Sequence, residues 1–131
     1  SLRLDNLFIY QIEDNAFQLT INSITDISLK NNQIKNLKPA VFKDLTKLIK
    51  INLSENFFEI IHENLFIGLI QLKDLNFESN KISHISNYAF KDLISLRLLN
   101  LNQNNIKIIK DSYFNCLENL EILFLSTNTI K

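Results

Sequence analysis

The sequence predicts an α/β solenoid, a right-handed horseshoe whose turns lay short parallel strands side by side on a concave face. The convex face should carry short turns or 3-10 segments. Three observations predict this. Asn32, Asn56, Asn80, Asn104 and Asn128 stand 24 residues apart without slippage, and Phe42, Phe66, Phe90 and Phe114 keep the same interval. An apolar–polar–apolar triplet travels with them, as in Ile51-Asn52-Leu53 and Leu99-Asn100-Leu101. The 131 residues hold one glycine and one proline, too few for a fold built of tight hairpins.

The triplet is the strand. Alternation with period two marks a short segment with one buried face. Ile27, Ile51, Leu75, Leu99 and Leu123 form one inward column, and Leu29, Leu53, Phe77, Leu101 and Leu125 the next. One such strand cannot bury its apolar side alone, so identical units must stack at the parallel-strand spacing of about 4.7–4.9 Å. Further columns follow at Ile34, Phe58, Ile82, Ile106 and Ile130, at Leu37, Ile61, Ile85 and Ile109, at Leu45, Leu69, Leu93 and Leu117, and at Leu48, Leu72, Leu96 and Leu120. Each buried Leu, Ile or Phe contributes about 1.5–3 kcal/mol.

After each strand the chain must bend sharply, which leaves backbone groups inside the coil without sheet partners. An asparagine side chain carries donor and acceptor together, so Asn32, Asn56, Asn80, Asn104 and Asn128 are expected to satisfy those groups from turn to turn. Phe42, Phe66, Phe90 and Phe114 should stack as an internal spine beneath the convex side. A first unit is degenerate. Leu2, Leu4, Ile9, Ile12 and Phe17 keep the spacing, but Leu7 stands where asparagine belongs and one residue is inserted near residues 18–23.

Written out, the unit L-x-x-L-x-L-x-x-N-x-I-x-x-I-x-x-x-x-F-x-x-L-x-x resembles the leucine-rich repeat in its 24-residue form, common in animal extracellular proteins. Toll-like receptors, small leucine-rich proteoglycans, Slit-type guidance proteins and lamprey variable lymphocyte receptors share that form. The resemblance covers essentially the whole chain. It implies protein recognition on the concave surface of a cell-surface or secreted receptor-like protein, in adhesion or innate immunity. Residues 1–131 read as a single array of about 5.5 repeats without cysteine caps, expected to be a fragment of a longer ectodomain. Two alternatives stay open: a structural spacer inside such an ectodomain, and an intracellular adaptor array.

Composition narrows the function classes. Fourteen basic and fourteen acidic residues leave no net charge, which argues against a general nucleic-acid binder and gives no basis for a polybasic membrane contact. No stretch reaches the length of an apolar membrane span. The partner that the resemblance implies is a protein, and no cofactor, metal or catalysis is expected. His62 and His84 lie in different units away from ligand spacing, and lone Cys116 has no histidine beside it. Asp44 and Asp92 read as surface charges of the convex turns.

The concave face should display the variable positions around each strand. One column reads Asp26, Lys50, Asp74, Leu98, Ile122 and the next Ser28, Asn52, Asn76, Asn100, Phe124. Mixed charges give way to apolar side chains toward the C-terminal end. Neighbouring apolar groups with a polar rim mark protein contacts, so Asn76, Leu98, Asn100, Ile122 and Phe124 are the expected ligand-binding residues. Covering of the apolar three by a neighbouring element is the alternative. Asn52-Leu53-Ser54 is the sole N-glycosylation sequon, and a sugar there would obstruct this face.

Overall fold

A computed structural model describes residues 1–18, 23–39 and 41–131. The inserted residue expected near 18–23 falls on 19–22, outside the described residues. Six strands form one parallel sheet: β1 (Leu2–Arg3), β2 (Asp26–Ser28), β3 (Lys50–Asn52), β5 (Asp74–Asn76), β7 (Leu98–Asn100) and β8 (Ile122–Phe124), in that spatial order. Register follows the period. Ile27 pairs with Ile51, Ile51 with Leu75, Leu75 with Leu99 and Leu99 with Leu123. A second, two-stranded parallel sheet joins β4 (Ile60–Ile61) to β6 (His84–Ile85) on the return path.

The asparagine column works as a ladder. Asn80 donates from Nδ2 to the Leu53 carbonyl of the preceding coil at 3.0 Å and to its own Phe77 carbonyl at 3.0 Å, while its Oδ1 accepts the Phe58 N–H at 3.0 Å. Asn56 repeats this with Leu29, Leu53 and Ile34, and Asn104 with Phe77, Leu101 and Ile82. Asn128 closes on Leu101, Leu125 and Ile106. In the first coil Leu7 cannot take part by side chain, so Asn32 Oδ1 accepts two backbone donors, Leu7 at 3.1 Å and Ile9 at 3.0 Å.

The corner itself is made one residue earlier. Asn6, Asn31, Glu55, Ser79, Gln103 and Thr127 all take left-handed backbone, with φ between 52° and 61°. That conformation costs a non-glycine residue about 1–2 kcal/mol, and the ladder hydrogen bonds that follow hold it. Asparagine alone therefore does not replace glycine here; it secures the left-handed residue immediately preceding it in the chain.

On the convex side the spacing F-x-x-L-x-x-L becomes two consecutive turns closed by i+3 to i hydrogen bonds. Leu69 donates to Phe66 and Leu72 to Leu69; Leu93 to Phe90 and Leu96 to Leu93. Among the described residues one convex segment tightens into a helix, α1 (Asp111–Phe114). The rings stack as a spine from Phe17 through Phe42, Phe66 and Phe90 to Phe114, with centroids 5.9, 6.3, 6.2 and 6.2 Å apart. Those separations exceed the strand spacing of about 4.7–4.9 Å. Each coil is a wedge, narrow at the sheet, and the sheet lies on the inside of the curve.

The inward columns are buried throughout the middle coils. Ile109, Leu123 and Ile130, expected inside, are exposed because their coil has a neighbour on one side only. One buried column has no counterpart among the sequence-derived columns: Val41, Leu65, Ala89 and Tyr113, whose sizes differ too much to look like a repeat. Phe77, standing where most units have leucine, meets Phe58 and Phe66 edge-on at 5.4 and 6.1 Å.

Replacing Asn80 with alanine strands the Leu53 and Phe77 carbonyls and the Phe58 N–H in the interior, and should cost about 3 kcal/mol or more in urea denaturation. The same change at half-buried Asn128, where water reaches the freed groups, should cost about 1 kcal/mol or less.

Candidate functional site

The concave sheet is the broad surface on which columns of side chains converge. Its N-terminal part forms a shallow depression of about 400 Å³ walled by Arg3, Asp26, Ser28, Lys50, Asn52 and Asp74 among others. Its charges are largely paired with one another. Lys50 Nζ lies 3.4 Å from Asp74, and Lys30 Nζ lies 3.2 Å from Glu55. Thr25 Oγ1 donates to Asp26 at 2.5 Å. Exposed pairs of this kind contribute little to stability, about 0–1 kcal/mol each; their effect is to neutralise the face.

Toward the other end the chemistry changes. Leu98 and Ile122 are register partners on adjacent strands β7 and β8, and Phe124 is the partner of Asn100. Ile122 is 43% exposed and Phe124 41%, while Leu98 is half-buried. The structure thus brings the three apolar residues expected from sequence onto one patch. Arg97 and Glu121, 3.6 Å apart, flank its strands.

The asparagines beside the patch have backbone work. Asn76 Oδ1 accepts the Glu78 N–H at 2.8 Å, and Asn52 and Asn100 do the same for Ser54 and Asn102 at 3.0 Å. These are turns in which the side chain caps the strand end two residues on. Asn100 Nδ2 also donates to Glu78 Oε2 at 3.2 Å. The bond recurs on β3, β5 and β7, whereas the equivalent N–H groups of Lys30 and Ser126 are taken by Asp5 and Asn102 of the preceding coil. Ser54, in a column whose neighbours are Lys30 and Glu78, is a short side chain only 4% exposed. Of the sequon, only Asn52 reaches the surface.

Other titratable groups do not converge. His62 and His84 are exposed on separate coils, and Cys116 is a free, half-buried thiol against Asn115 Oδ1 at 3.3 Å. Asp92, on the convex side, accepts the Gly68 N–H at 2.8 Å and so ties two coils together. Lys38, exposed between Asp14 at 3.3 Å and Glu13 at 3.4 Å, has its pKa raised by these carboxylates, Asp14 first. Among the described residues no group of three or more His, Cys, Asp or Glu is placed to hold a metal ion. No helix there is long and apolar enough to cross a membrane.

The leucine rich repeat family profile matches residues 22–82 and again residues 70–130, so the chain belongs to the leucine rich repeat family. Among solved structures it is similar to Toll in the Toll–Spatzle complex of Drosophila development and innate immunity. The two are 26% identical with a TM-score of 0.81, over 86% of this chain and 16% of that one. It is also similar to TLR13 in its complex with ssRNA13, 25% identical with a TM-score of 0.77, over 99% of this chain and 22% of that one. The chain therefore spans 16% to 22% of the length of these two structures. No curated protein matches the sequence.

Alanine at Asn76 removes the acceptor for the Glu78 N–H and should lower stability by about 0.5–1.5 kcal/mol in urea denaturation. A variant with unchanged stability would show that the side chain serves only the surface.

Proposed function

We propose that this chain is a non-enzymatic scaffold that binds a partner protein on its concave sheet, with Leu98, Ile122 and Phe124 as the apolar centre and Asn76 and Asn100 at the rim. The observation that carries the reading is the pairing of Leu98 with Ile122, beside Phe124, on a face otherwise polar and internally neutralised. Apolar side chains gathered in this way lose water when a partner covers them, and such centres dominate binding energy.

The ladder and spine hold the surface in one shape before the partner arrives, so little ordering entropy opposes association. The family and the likeness to Toll and TLR13 support a receptor-like setting, outside the cell or at its surface, in adhesion or innate-immune sensing. Toll and TLR13 in those two structures hold a protein and an RNA respectively. Balanced charge on this chain supports the protein class, since phosphate neutralisation needs an excess of Lys and Arg.

The test is capture on the immobilised chain from extracellular fluid, with bound protein identified by mass spectrometry and titrated against variants. Leu98→Ser, Ile122→Ser and Phe124→Ser should each weaken binding at least about tenfold. Ile70→Ser and Ile94→Ser, on the exposed convex side, should leave it unchanged. Equal loss in both sets, or loss in neither, defeats the proposal; the second result would favour a spacer role.

A further inference from the structure

Of the three asparagines that cap strand ends on the concave face, Asn52 alone has a hydroxyl residue two positions on. Asn52-Leu53-Ser54 is followed in the next coils by Asn76-Phe77-Glu78 and Asn100-Leu101-Asn102. The Asn52 amide is held by one end. Its Oδ1 accepts the Ser54 N–H at 3.0 Å, which fixes the side chain at the end of β3.

The other end of the amide is free. Asn100 Nδ2 donates to Glu78, 22 positions back. The same place relative to Asn52 holds Lys30, whose ammonium accepts no hydrogen bond and meets Glu55 instead. Among the described residues Asn52 Nδ2 meets no protein acceptor, and no buried side-chain nitrogen there lacks a partner. Asn52 Nδ2 therefore reaches solvent. Asn52 lines the shallow depression of about 400 Å³, together with Arg3, Asp26, Ser28, Lys50 and Asn76, all of which carry hydrogen-bonding groups. Ser28, its register partner on β2, is small and leaves room beside the amide. The apolar patch begins two strands further along the sheet, at Leu98 of β7.

We propose that Asn52 is an N-glycosylation site whose sugar stands in the N-terminal depression of the concave face. The proposal rests on the setting outside the cell inferred above. In the transfer, Asn52 Nδ2 attacks C1 of an oligosaccharide carried on a lipid pyrophosphate. The Nδ2–C1 bond forms, the C1–O bond to phosphate breaks, its electron pair leaves with the lipid pyrophosphate, and Nδ2 gives up one proton. The acceptor tripeptide is defined by the hydroxyl two residues on. Ser54 is only 4% exposed, so that hydroxyl is read before the coil closes. Oδ1 keeps its bond to the Ser54 N–H in the product, and a bulky polar group is added without breaking a bond of the fold. The ladder does not allow this, because Asn56 and Asn80 commit Nδ2 to interior carbonyls.

The experiment has two arms. In the first, the 131-residue chain behind a cleavable secretion signal is translated with animal-cell microsomes. It should gain one mass step that an N-glycosidase removes, that Ser54→Ala abolishes and that Ser54→Thr retains. This reading needs no folding, so it decides even where a variant fails to fold. In the second, Ser28→Cys in a Cys116→Ser background is secreted from cultured animal cells and compared with the same chain made unglycosylated in bacteria. A bulky maleimide should label the glycosylated form severalfold more slowly, while the two forms unfold at the same urea concentration. Absence of the mass step overturns the proposal and leaves the apolar patch untouched. Equal labelling of the two forms, or loss of cooperative unfolding on glycosylation, overturns it too. Indifference of partner binding to the Leu98, Ile122 and Phe124 variants would defeat the concave-patch reading and not this site.

Discussion

The structure depends on the satisfaction of backbone groups at the inner corner of each coil. A strand of three residues cannot return through an apolar interior without leaving carbonyls and N–H groups behind. The Asn56, Asn80 and Asn104 amides each meet one carbonyl of the coil before, two of their own coil, and one N–H of the coil before. A buried orphan at any of these points costs about 1–3 kcal/mol. Neighbouring coils are thereby locked in register before side-chain packing is considered, and the leucine and isoleucine columns then line up as a consequence.

The phenylalanine spine supplies shape. Rings about 6.2 Å apart at the back and strands closer together at the front make wedges, and stacked wedges bend. The concave sheet is thus set by the size of one side chain in each unit. Strand-face residues such as Lys50, whose exposed ammonium meets only Asp74, can vary without touching that geometry, because they point away from both ladder and spine.

Elements tied to a fixed side chain were legible in the sequence. The ladder asparagines and spine phenylalanines repeat because each coil presents the same backbone groups and the same space to fill, and Leu98, Ile122 and Phe124 fall on one face by counting alone. Features that depend on backbone alone were hidden. The left-handed corner falls on Asn, Glu, Ser, Gln and Thr, which share no side-chain signature. The Asn52, Asn76, Asn100 column was visible, but its turn-capping bond requires coordinates to distinguish it from decoration.

Every ladder asparagine reaches backward, toward the coil that precedes it, and each coil offers the next an identical set of sockets. A coil is therefore a removable part. Excision or duplication of one whole 24-residue turn would present the same junction on either side, whereas an indel of another length must be absorbed within a single turn, as in the first unit, where Leu2 pairs with Ile27 and Phe17 stacks on Phe42 across 25 positions. Arrays built this way can grow or shorten by recombination while every surviving turn keeps its architecture, and the recognition surface lengthens or contracts in discrete steps.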